Sequence, residues 1–219
     1  SYFENEFKKM KKILLVIAFT IIMSINGFAQ YKPFQFGLKI EPSLGWAKHN
    51  SESLIDNKTK MNFSWGFVGN FYFVENYGLS TGFNVRFMNN EFKFSTMKND
   101  VIVRTIKNQY LEIPLGLTMR TEKIGDLRIL GNISYGLGFL MNSEEKIYNV
   151  MNEQEIVIAT EYSKMRHALI VKLGIEYYVH KSSCITTALV FNNNFVNISK
   201  DEQHRLLLNN LCLEIGFMF

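Results

Sequence analysis

Proline and cysteine are scarce in this chain, with three and two residues in 219. No Pro-, Gly- or Ser-rich stretch marks a linker, and no repeat or low-complexity segment divides the sequence. The four histidines, His49, His167, His180 and His204, are dispersed without metal-ligand spacing. A phosphate-binding loop, a dinucleotide fingerprint and a nucleophile elbow are all missing. No cofactor is therefore expected. Charge of one sign is lacking too. The net charge is +4, but Lys8, Lys9, Lys11 and Lys12, with Glu4 and Glu6, belong to the leader. The remainder carries 20 basic and 18 acidic residues and no basic stripe. The pI of 8.9 thus gives no reason to expect nucleic acid as a partner.

Long apolar runs are absent from all but one place. Met10–Gln30 reads MKKILLVIAFTIIMSINGFAQ, with a lysine cluster before an apolar run from Ile13 to Ile25. Gly27 and Ala29 then precede Gln30 as the small residues of a cleavage site. These are the three parts of a secretory signal peptide. The run falls short of the roughly 20 residues that a spanning helix needs. Residues 1–29 are therefore expected to be an upstream extension plus a cleaved signal, with Met10 as the natural start. No cysteine follows to carry a lipid anchor. Residues 30–219 either leave the inner membrane or span a membrane as strands.

What is plentiful is aromatic residues: 14%, with 19 Phe and 10 Tyr. Such side chains pack well on pleated strands. Their spacing has a period of two. From Phe36 to Trp46 the even positions are Phe, Leu, Ile, Pro, Leu and Trp, and the odd ones Gly, Lys, Glu, Ser and Gly. The same alternation recurs over Phe63–Phe73, Tyr77–Phe87, Tyr110–Arg120, Leu127–Phe139, Leu169–Tyr177, Ile185–Asn192 and Leu207–Phe219. That makes about eight strands, each near the 9–11 residues of a tilted membrane-spanning strand. Short connections near Val74–Asn76, Thr121–Asp126 and His180–Ser183 alternate with longer polar ones near Lys48–Met61, Asn89–Asn108, Met141–Met165 and Asn194–Arg205. The expected fold is all-β: an eight-stranded antiparallel transmembrane up-and-down β-barrel in the outer membrane, with both termini periplasmic. The mean hydropathy of −0.02 suits such alternation.

A soluble sandwich would also alternate, with its large residues inside. Eight strands enclose an interior only just wide enough for side chains, and the aromatic face would overfill it. The aromatics are therefore placed in lipid and the small residues in the lumen. Lys39, Glu41, Arg86, Glu112, Arg120, Arg128, Lys172, Glu176 and Glu214 share that inner face. Buried charges must be paired, so a salt-bridge network that plugs the lumen is expected. Rim positions for some of them are the alternative. Pro114 and Pro42 would each remove a ladder donor, and a bulge beside each is expected.

The segment Asn108–Leu117, NQYLEIPLGL, resembles the Tyr-Leu-Glu-Ile-Pro-Leu motif of the PorT-like outer-membrane barrels of Bacteroidetes. The leader ending in Phe28-Ala29-Gln30 and the final strand LCLEIGFMF are similar to theirs as well. The terminal Phe219 resembles the signal read by the barrel-assembly machinery. The resemblance implies an eight-stranded barrel without catalytic residues, in a family where some members are associated with secretion and gliding. Expected partners are outer-membrane lipid and lipopolysaccharide, the assembly machinery, and secretion-system components. Glu144, Glu145, Glu153, Glu155 and Glu161 in the third long connection can bind a partner or cation-bridged lipopolysaccharide, or simply be solvated. The expected role is structural or interactive and not enzymatic; a narrow porin-like channel is the alternative. Ser163, His167 and Glu161 are the one group resembling a hydrolase triad, which is recognised by geometry and not by proximity in sequence. Cys184 and Cys212 fall on the inner face of adjacent strands. They can bridge if the hairpin is centred near residue 198, or stay as buried thiols.

Overall fold

A two-faced strand is stable only where its faces meet different surroundings, and this chain meets that condition by closing its sheet on itself. The structure, a computed structural model, describes residues 33–49, 54–95, 101–150, 154–158, 162–180, 182–197 and 206–219. The leader, Glu153 and Glu161 lie outside the described residues. The strands are β1 (Phe34–His49), β2 (Leu54–Lys58), β3 (Lys60–Val74), β4 (Tyr77–Ser95), β5 (Val101–Arg120), β6 (Leu127–Asn149), β7 (Gln154–Ile158), β8 (Met165–Tyr178), β9 (Cys184–Asn194) and β10 (Leu206–Met218). Eight of them form the wall in the order β1-β3-β4-β5-β6-β8-β9-β10, every pair antiparallel, and β10 pairs with β1 to close the ring. The chain is thus the expected eight-stranded antiparallel barrel. The five-residue strands β2 and β7 are additions that pair with the far ends of β4 and β6.

The faces are as the parity indicates. Leu38, Ile40, Trp65, Leu115, Leu173 and Phe217 are exposed on the outside, while Glu41, Ser64, Arg86, Glu112 and Asn192 are buried inside. The connections Glu75–Asn76, Thr121–Asp126 and Val179–Ser183 lie at one end, together with the first strand residue Phe34 and the terminal Phe219. The Phe219 amide donates to the Phe36 carbonyl at 2.7 Å, and their rings stack at 5.4 Å. The last residue therefore helps to close the β1–β10 seam.

Two expectations need correction. Strand length is one: β4, β5 and β6 run 19, 20 and 23 residues. The alternating stretches, such as Tyr77–Phe87, keep the expected length, but the ladders continue past them. Beyond the apolar belt the outer face no longer needs large apolar residues, so the period of two fades while the backbone stays paired. The prolines are the other. The β4–β5 register is unbroken past Pro114, but the pairing skips from Thr81↔Leu115 to Asn84↔Glu112. The β1–β10 pairing likewise skips from Ile40↔Ile215 to Ser43↔Cys212 beside Pro42. Each proline costs a short gap on one flank, and no bulge forms beside it.

Close packing across the lumen face relies on small residues. A Cβ on Gly174 would stand 2.4 Å from both the Ala188 Cβ and the Thr187 carbonyl oxygen, too close for the backbone to yield locally. Gly174→Val is expected to abolish the compact, heat-modifiable form on unheated gel electrophoresis. A variant that migrates as the folded wild type would show that the wall tolerates bulk there.

Candidate functional site

The centre of the barrel holds a connected ion network. Glu112 on β5 receives Arg166 Nη1 from β8 at 2.6 Å and Arg86 Nη2 from β4 at 3.0 Å. Asn192 Nδ2 on β9 adds a contact at 3.1 Å. Arg86 reaches on to Glu41 of β1 at 2.9 Å, where the Ser64 hydroxyl also donates. Lys39 joins Glu41 at 2.6 Å to Glu214 of β10 at 3.1 Å, and Lys172 of β8 meets Glu214 at 3.1 Å. Seven wall strands are tied together inside the barrel. The strand register makes this possible: Arg166 and Glu112 lie on either side of Gly138, which has no side chain to separate them.

Six of the nine expected network residues are therefore together: Lys39, Glu41, Arg86, Glu112, Lys172 and Glu214. Arg120, Arg128 and Glu176 are not. They belong to a second group at the short-turn end, where Arg128 pairs with Glu75 at 3.1 Å and Glu176 accepts from Tyr178 at 2.9 Å. Arg120 lies 3.9 Å from Glu176, with its guanidinium 3.7 Å over the Tyr72 ring. Parity places all these residues on one face but cannot give their height along the axis. Arg166, fully buried at the heart of the network, was missed. Carrying the inner parity of β8 back from Lys172 would have found it.

Above the network, towards the long hairpins, the lumen turns apolar. Met88, Phe92, Ile106, Tyr110, Tyr162 and Leu208 form one buried cluster. Arg104 and Glu145 sit beside it, with Arg104 Nη2 3.0 Å from the carboxylate and the Tyr162 hydroxyl donating at 2.7 Å. Burial raises the Tyr162 phenol above its usual range, and its bond to Glu145 adds to this. Glu145 was expected among the acids of an outer loop; it is instead turned inward and buried. Glu144 is exposed, 4.0 Å from Lys146.

The other sequence candidates do not assemble. Ser163 donates to the Met165 carbonyl at 3.0 Å, while the His167 ring bonds to Tyr135 on the outer face. Cys184 and Cys212 are both free. Cys184 faces Met218 and Cys212 faces Val190, an offset of six residues, or roughly 20 Å along the strand. A disulfide tolerates only about 7 Å between Cα atoms. The hairpin is centred three residues beyond the 198 that a bridge requires. Among the described residues no group of His, Cys, Asp and Glu is arranged to hold a metal.

A family model described as outer membrane protein beta-barrel domain matches residues 28–200. The chain belongs to this family. It is an integral β-barrel of the outer membrane. A comparison with curated proteins finds no match. Among solved structures the chain is similar to Ail, the attachment invasion locus protein of Yersinia pestis, at 14% identity and a TM-score of 0.43, over 86% of this chain and 100% of that one. OprG from Pseudomonas aeruginosa is similar at 10% identity and a TM-score of 0.48, over 85% and 94%. The outer membrane protease OmpT from Escherichia coli is similar at 9% and 0.47, over 88% and 99%.

Removing Glu112 would leave two buried guanidinium groups without their shared carboxylate. Breaking such a pair costs about 3–5 kcal/mol. Glu112→Ala is expected to lower the unfolding free energy of the lipid-reconstituted barrel, read from urea titration, by that amount, with Glu112→Gln in between. An unchanged midpoint would show that the network contributes nothing to stability. For the thiols, alkylation after unfolding without reductant is expected to add two labels by mass; a protein that takes up none would restore the bridge.

Proposed function

We propose that this outer-membrane barrel is a non-conducting, non-enzymatic structural and interaction element, accessory to secretion or surface assembly, with both termini in the periplasm. The observation that carries the reading is the doubly closed lumen. The ion network around Glu112 spans the middle, and the Met88–Phe92–Tyr110 cluster seals the end nearer the long hairpins. A solute path would have to break buried ion pairs and then cross a packed apolar layer. An eight-stranded barrel has no spare width to route around either. The resemblance to PorT-like barrels supports the accessory role. Its Tyr-Leu-Glu-Ile-Pro-Leu motif lies on β5 and places Tyr110 in the apolar seal and Glu112 in the network. Outward-facing rings such as Phe36, Trp65 and Phe217 suit contact with lipid.

Two measurements test this. In planar bilayers the purified protein is expected to give no stable openings; steady conductance of porin size would favour the narrow-channel reading instead. Affinity capture from native outer membrane, read by mass spectrometry, is expected to recover secretion or surface-assembly components. Recovery of the barrel alone would remove the accessory role.

A further inference from the structure

The central network is not charge-balanced. Lys39, Arg86, Arg166 and Lys172 face three carboxylates, Glu41, Glu112 and Glu214. The groups at either end do not offset the surplus. Arg120 and Arg128 meet Glu75 and Glu176 at one end, and Arg104 meets Glu145 at the other. A single unbalanced charge in a barrel interior is costly, because neither water nor lipid can screen it.

The surplus coincides with a space. A cavity of about 20 Å³ lies among Lys39, Arg86, Asn132, Lys172, Glu41 and Glu214, enough for one water or one small ion. Three cations and two carboxylates line it. The carboxylates are already engaged: Glu41 by Lys39, Arg86 and Ser64, and Glu214 by both lysines. The donors are not used up. Asn132 is 5% exposed; its oxygen accepts from Ser134 at 2.6 Å, and its amide nitrogen has no acceptor. Arg86 Nε also has none. Lys172 spends one of its three N–H groups on Glu214. Asn84 also lines the cavity, and its oxygen has no donor.

We propose that this cavity is a binding site for a monovalent anion of chloride size, held by Asn132 Nδ2, Arg86 Nε and the two ammonium groups. The ion completes the charge balance of the network, so it belongs to the folded state and not to a transport path. Ions that are too large or polyatomic would not fit the space.

The test uses bromide, on the whole barrel. Crystals grown with sodium bromide in place of chloride are expected to show an anomalous peak within hydrogen-bond distance of Asn132 Nδ2. The urea midpoint at constant ionic strength, balanced with gluconate, is expected to rise with bromide and saturate. Lys172→Met removes the surplus charge and is expected to lose that response. Asn132→Asp places a fixed negative charge at the cavity and is expected to lose it as well, which keeps the test open if either variant fails to assemble. Water density without anomalous signal would overturn the site, as would a flat bromide response in the wild type or an equal response in a folded variant.

Discussion

Glu112 has no exposure to solvent and holds two guanidinium groups, one from each side of its own strand. Much of the interior depends on that carboxylate. Arg86 and Arg166 are the largest fully buried side chains, and each is tolerable only because its charge is met. Arg86 passes the connection to Glu41, and Lys39 passes it to Glu214. Backbone pairing joins each wall strand only to its two neighbours. The ion network adds ties across the axis, between strands the ladder never brings together.

The same constraint explains the composition of the wall. An eight-stranded barrel has room for one layer of side chains inside. Arg166 and Glu112, two strands apart, can meet only because the residue between them, Gly138, has no side chain. The large residues are displaced outward, where lipid sets no limit on their size. The unequal faces of each strand are thus two results of one shortage of space.

That shortage is also why so much was legible in the sequence. Strand count, the sorting of faces and most of the network follow from a period of two. Height along the axis does not, so Arg128 and Glu176 were grouped with residues that lie well above them. The cysteines failed for a related reason: a three-residue error in the centre of one hairpin becomes a six-residue offset between partners. Arg166 lay just past the stretch whose alternation is clean. The apolar seal was hidden because Met88, Phe92 and Ile106 belong to strand extensions whose outer face is polar, leaving no contrast to count.

Those extensions bear on where a partner could act. A long loop would lose conformational freedom on binding, and that loss opposes association. Here β4, β5 and β6 carry their ladders beyond the apolar belt, and β2 and β7 widen the projecting sheet. Backbone in this region is ordered by the same hydrogen bonds that order the wall. The buried Arg104–Glu145–Tyr162 group and the apolar cluster hold it from the inside. At the long-hairpin end the described strand extensions are thus held twice, by their ladders and by the packing inside them.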